Sequence, residues 1–298
     1  MHCLLSFFTY ETTCANIYTF LKALGHPVAN EEPAHTLKIL FFNAAYAVQS
    51  LQVSIHSAEV VVCYEPDADL DVLLSFYSDE KQKNARESFG SSPWDEDQKA
   101  YFSDCLNNAI EKLGALCPEL LQTLFMHLFK IYLFPHKKLI SMSNANMWGI
   151  IIIVPREDKL ETLSYPEQFF EGIVHEGLHQ FLLLDALVTP YFTRPEQADE
   201  IQISGSLTLR PIPLEIALHA CIIANVQAQL YLKDNSLTRA KALLCNYFTA
   251  LAHLVATVNA SAAEGQPLLT PRGQQWLDAL QQTPWPQEIL NLQPLMQA

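Results

Sequence analysis

Apolar residues recur at three- and four-residue spacing through most of this 298-residue chain, a rhythm that restricts it to folds built largely from amphipathic helices. The segments that carry it lie near 12–24, 34–50, 95–114, 117–133, 166–187, 213–232, 236–259 and 271–281. Strand-like runs are few: "AEVVVCY" (58–64), more weakly "KKLISMS" (137–143), and "WGIIIIVP" (148–155). The last is β-branched, ends at Pro155 and reads as a buried strand. The expected class is α+β, mainly α with a small β-sheet.

The most polar stretch, "YSDEKQKNARESFGSSPWDEDQ" (77–98), contains Gly90 and Pro93 and is the natural exposed connection. It suggests a mostly helical N-terminal subdomain over 1–90 and a second domain over 91–298. A further irregular stretch, 189–213, is too long for an ordinary connector in a packed domain, which marks it as a loop over a site and a candidate lid. The sequence shows no internal repeat.

Half the residues are hydrophobic, enough for a large core. The formal charge is −14 and is spread along the chain, which argues against nucleic acid or anionic lipid as partner and leaves a basic partner such as a peptide. Seven cysteines without a CxxC pair read as reduced thiols. The N-terminus lacks the basic start of a secretory signal, and no apolar run reaches membrane-spanning length. The expectation is a cytoplasmic protein with no membrane contact; the sequence does not set its oligomeric state.

Within this framework stands "VHEGLHQFLLLDAL" (174–187). His175 and His179 are four apart, so on a helix their imidazoles stand one turn apart on one side and can reach a single cation, with Glu176 beside them. For this composition an HExxH string arises by chance roughly 0.02 times per chain. Two histidines so spaced also occur as plain helix-surface residues. The context favours a built helix: Ser164 suits an N-cap and Pro166 the first turn. Phe169, Phe170, Ile173, Val174, Leu178 and Phe181 then form an apolar stripe that anchors the helix and leaves the histidines beside it.

A metal centre needs a third protein ligand. One known zinc arrangement continues HExxH with a glycine and then a further ligand, but the corresponding positions here are Leu182 and Asp185. Without the glycine the helix runs on and Asp185 points away. A better source is "RPIPLEIALHACIIANVQAQLYL" (210–232), a helix opened by prolines that carries Glu215 and His219 one turn apart. Either completes the site, and His219 is preferred. Alone, His219 would read as a core histidine; it gains a role because the upstream pair needs a partner.

Two chemistries follow from such a ligand set. With zinc, Glu176 would take a proton from metal-bound water, which attacks a peptide carbonyl, and the protein would be a metallopeptidase. With Fe(II), two histidines and a third ligand leave open positions for a keto acid and O2, and the protein would be an oxygenase. The second also needs a cation for the distal carboxylate of the keto acid, for which Arg194 and Arg210 are the nearby candidates. Arg210 stands directly before the helix bearing His219. A non-catalytic helical peptide-binding protein is the remaining class.

Four stretches together, "NMWGIIIIVP" (146–155), "FFEGIVHEGLHQFLLLDAL" (169–187), "LRPIPLEIALHACIIANVQ" (209–227) and "LLTPRGQQWLDAL" (268–280), resemble the α-ketoglutarate-dependent, HExxH-type peptide β-hydroxylases of ribosomal peptide natural-product (RiPP) clusters. The resemblance covers roughly residues 140–280. It implies an oxidoreductase, a dioxygenase using Fe(II), 2-oxoglutarate and O2 to hydroxylate a side-chain β-carbon of a ribosomally made precursor peptide. It further implies His175, His179 and His219 as iron ligands and Arg210 as the cosubstrate anchor. Glu176 then orients a ligand or water instead of acting as a proteolytic base.

Overall fold

In the computed structural model, residues 4–29, 32–49, 51, 55–65, 67–75, 94–133, 141–144, 147–203 and 211–292 are described. The protein is mainly helical with a small sheet, as its periodicity predicts. The chain divides into two compact units, Thr9–Leu184, and Met1–Phe8 with Asp185–Ala298. The junction expected at residues 90 and 91 lies outside the described residues, as does most of the polar stretch 77–98.

The Thr9–Leu184 unit is organised on four strands, β1 (Val61–Cys63), β2 (Lys130–Leu133), β3 (Met142–Asn144) and β4 (Met147–Ile153), in the order β1-β2-β4-β3. The first two and β4 run parallel, with Ile131 opposite Ile151, while β3 runs antiparallel to β4 and sets Ser143 opposite Ile151. Every residue of β4 is buried. A strand with neighbours on both edges and cover on both faces has no position for polar alternation, which explains the unbroken apolar run in its sequence.

Helices α1 (Tyr10–Ala23), α2 (Ala34–Val48), α3 (Ala68–Ser75), α4 (Glu96–Leu116) and α5 (Pro118–Met126) complete much of this unit. Asp95 and Gln98 close a capping box at the start of α4, satisfying two orphan N–H groups reciprocally. At Gly149 the backbone takes φ +77°, and a Cβ there would fall on the rings of Phe42 and Phe129. Helix α2 can therefore lie directly on β4, where Phe41 also meets Trp148 edge-on.

The segment 117–133, expected as one helix, is α5 followed by β2. Residues 124–133 are apolar at nearly every position, so helical and strand spacing fit them equally, and pairing between β1 and β4 decides the outcome.

Helix α6 (Tyr165–Val188) carries the HExxH string. Its start is fixed by Glu167, whose carboxylate accepts from the Ser164 N–H at 2.9 Å and from the Ser164 hydroxyl at 2.8 Å. Gly172 lies against Ile153 and Gly177 against Leu124, so two missing side chains let the helix approach β4 and α5 closely.

The Met1–Phe8, Asp185–Ala298 unit contains a 3-10 turn (Leu4–Phe7), α7 (Pro195–Glu200), the antiparallel pair β5 (Gln202–Ile203) and β6 (Ile212–Pro213), α8 (Leu214–Lys233), α9 (Leu237–Leu243), α10 (Tyr247–Ala263), α11 (Pro271–Gln281) and α12 (Gln287–Leu290). Fifteen residues of α8 are buried, so most of this helix has no solvent stripe. Asn225 is paired inside, donating to the Tyr247 hydroxyl at 2.8 Å and to Thr283 at 3.0 Å.

Two expectations are corrected here. The stretch 189–213 is not an irregular loop, since it includes α7, β5 and β6, although 204–210 lie outside the described residues. The segment 236–259, expected as one helix, is α9 and the larger part of α10. Among the described residues no single helix is long and apolar enough to cross a membrane.

Candidate metal site

How α6 presents its imidazoles follows from what its opposite side is tied to. Phe169, Phe170, Ile173, Val174, Leu178 and Phe181 are all buried, as the apolar stripe predicts. Two polar residues one turn apart, Glu176 and Gln180, are buried with them, at 4% and 0% exposure. Gln180 accepts the Gly149 N–H at 3.0 Å. The Glu176 carboxylate accepts the hydroxyl of Ser143, on β3, at 2.7 Å. Both bonds join the helix to the sheet and fix its rotation about its own axis.

With that rotation set, His175 and His179 are left half-exposed on the neighbouring face, their ring centroids 5.0 Å apart and their planes at 68°. Two imidazoles side by side and reachable from solvent can supply two nitrogen donors to one cation. Glu176 is arranged differently. Burial pushes its pKa up, the neighbouring His175 and the Ser143 hydrogen bond working against that rise.

His219 belongs to the other unit. It is buried on α8 and its ring meets Tyr191 edge-on at 5.9 Å. Burial pushes its pKa down to about 4, with the carboxylate of Asp185 opposing. Glu215, one turn earlier, is half-buried, and its pKa is raised by burial and then by Asp199. Arg194 occupies the N-cap position of α7, and Arg210 lies outside the described residues. Among the described residues no group of three or more His, Cys, Asp or Glu side chains is arranged to hold a metal ion. Within the Thr9–Leu184 unit the two α6 histidines stand side by side.

No protein-family model matches this sequence, and no curated protein matches it. The site must be read from its own residues.

Asp185 is fully engaged. Its Oδ2 accepts from Arg272 Nε at 2.9 Å, the Tyr191 hydroxyl at 2.8 Å and Trp276 Nε1 at 3.2 Å, and its Oδ1 from Arg272 Nη2 at 3.0 Å. From Leu269 to Gly273 each residue of the "LLTPRG" stretch has a structural role. Leu269 bridges Phe192, Thr270 caps α11 by accepting the Gly273 N–H, Pro271 opens the first turn, Arg272 holds Asp185, and Gly273 makes room for the Tyr191 carbonyl.

Sequence reasoning missed two of these partners, Ser143 and Arg272. Ser143 sits at the end of a weak strand candidate with nothing local to mark it. Arg272 stood inside a conspicuous motif, but its partner lies 87 residues earlier in the chain.

Proposed function

We propose that the protein is a cytoplasmic Fe(II)- and 2-oxoglutarate-dependent oxygenase that hydroxylates a side-chain β-carbon of a ribosomally made precursor peptide. In this reading His175 and His179 hold the iron, His219 is the third ligand and Arg210 anchors the distal carboxylate of the cosubstrate. The observation that carries it is the position of Glu176. A zinc peptidase requires this carboxylate to take the proton of a metal-held water, whereas here it is buried and accepts the Ser143 hydroxyl at 2.7 Å. An oxygenase needs a face of protein donors with vacant positions beside them, and no proton transfer by this carboxylate.

The donor pair fits iron in chemistry and access, being two half-exposed imidazoles on one helical turn. His219 is chosen because a third protein donor is needed and because of the sequence resemblance. When bound, Fe(II) would supply dioxygen chemistry coupled to the decarboxylation of 2-oxoglutarate to succinate. The chain's own contribution is positional. Glu176 and Gln180 hold the helix in rotation, the two imidazoles are kept at the surface, and the arginine fork would orient a dicarboxylate. The net charge of −14 suits a basic leader or core peptide.

The direct test is anaerobic loading with Fe(II) followed by exposure to O2, 2-oxoglutarate and candidate precursor peptides. Succinate release and a one-oxygen mass gain in the peptide, both lost in His175→Ala and His179→Ala and the first weakened in Arg210→Ala, are the expected results. Peptide cleavage by zinc-loaded protein that disappears in Glu176→Gln would instead make it a peptidase.

A further inference from the structure

The hydrogen bond between Ser143 and Glu176 joins a strand to the one acidic residue inside the HExxH string, and its consequence reaches beyond holding the helix still. Glu176 and His179 are three residues apart and therefore neighbours on the helix surface, with His175 adjacent in sequence. A carboxylate at that place, if released, can swing about its own side-chain torsions toward a cation held by the imidazoles. In the folded protein its Oε2 is instead engaged by the Ser143 hydroxyl at 2.7 Å and the residue is 4% exposed. Ser143 lies on β3, in register with Ile151 of the buried β4, so its hydroxyl is carried by sheet backbone. Gln180, one turn along, is held in parallel fashion by the Gly149 N–H.

We infer that Ser143 is a positioning residue that keeps the Glu176 carboxylate turned to the sheet and away from the metal face, so that His175 and His179 present vacant coordination positions to an exogenous bidentate ligand. This rests on the proposed metal-binding role of the histidine pair. Without the serine hydroxyl, the buried carboxylate loses its partner and gains by turning out to water or to the cation, since an unpaired buried charge is costly. Ser143 thereby separates two chemistries that share one motif, one with the carboxylate at the metal and one without it.

The test uses the full-length protein and cobalt(II) alone, followed by its visible ligand-field absorption. Ser143→Ala is expected to bind cobalt about tenfold more tightly than wild type and to shift the absorption band, because an oxygen donor joins the imidazoles. The double variant Ser143→Ala/Glu176→Gln is expected to return affinity and spectrum to wild-type values, and Ser143→Thr, which keeps the hydroxyl, to match wild type throughout. Ser143→Val set against Ser143→Thr repeats the comparison with matched shape if the alanine variant is poorly soluble. A Ser143→Ala protein identical to wild type in affinity and spectrum overturns the inference, as does a change that persists in the double variant. Wild-type protein that binds no cobalt overturns the parent reading as well, and so the two failures are told apart.

Discussion

Arg272 and Asp185 form a two-pronged ion pair within one unit, Nε to Oδ2 at 2.9 Å and Nη2 to Oδ1 at 3.0 Å, with the carboxylate 2% and the guanidinium 18% exposed. The same carboxylate also serves Tyr191 and Trp276, so one buried charge ties the end of α6 to the start of α11. Arg272→Ala removes the two-pronged cationic partner of that buried charge and is expected to cost about 3 kcal/mol of unfolding free energy. Arg272→Lys, which keeps the charge but loses the fork, should fall between. Urea titration followed by tryptophan fluorescence measures both. A loss below about 1 kcal/mol for Arg272→Ala would show that the pair adds little to stability.

The elements that sequence reasoning found are those whose signal is local and repeated. The run Ile150–Ile153, β-branched and closed by Pro155, marks a covered strand, and the apolar stripe from Phe169 to Phe181 marks one side of a helix that leaves His175 and His179 beside it. What it missed depends on distant partners. Residues 130–133 have no pattern that separates strand from helix until β1 and β4 flank them. The rotation of α6, and with it the burial of Glu176, is set by Ser143 and Gly149, whose sequence positions carry no mark of that duty.

Gly149 is required by conformation and by space at once. Its φ of +77° disfavours any L side chain, and a Cβ would fall on the Phe42 and Phe129 rings, both buried. Gly149→Ala should therefore destabilise the Thr9–Leu184 unit by about 3 kcal/mol or more, combining strain with overpacking. Differential scanning fluorimetry would register this as a large fall in melting temperature or as loss of soluble protein. An unchanged melting temperature would mean that α2 can shift away from β4.

His127 makes stability depend on pH in a defined direction. It is 1% exposed, its Nδ1 is 3.2 Å from the Thr123 carbonyl and its ring lies 5.4 Å from that of Phe181. Burial, and then the charge of Lys38, push its pKa down to about 3 from 6.5. The unfolded chain takes up this proton as pH falls below about 6.5, while the folded chain resists until about 3, so stability is complete above the upper value and is lost as pH falls through the window. The slope approaches about 1.4 kcal/mol per pH unit for this one proton. His127→Leu should flatten the curve of unfolding free energy between pH 4 and 6 by about that slope. A parallel displacement of the curve, with no change of slope, would place the titration elsewhere.

Removal of the two surface imidazoles separates metal binding from folding. His175 and His179 are half-exposed, and the burial of α6 is carried by Val174, Leu178 and Phe181 together with the Glu176 and Gln180 hydrogen bonds to the sheet. Replacing either histidine with alanine should change the unfolding free energy by less than about 1 kcal/mol, as for positions outside the fully buried core. The same substitutions should each weaken Fe(II) or cobalt(II) binding by at least about tenfold, and the double variant should abolish it, since one remaining imidazole cannot chelate. Isothermal titration with cobalt(II) beside a urea titration reads the two effects independently. Unaltered cobalt binding in the double variant would remove the α6 pair from any metal site, whatever other residues hold the ion.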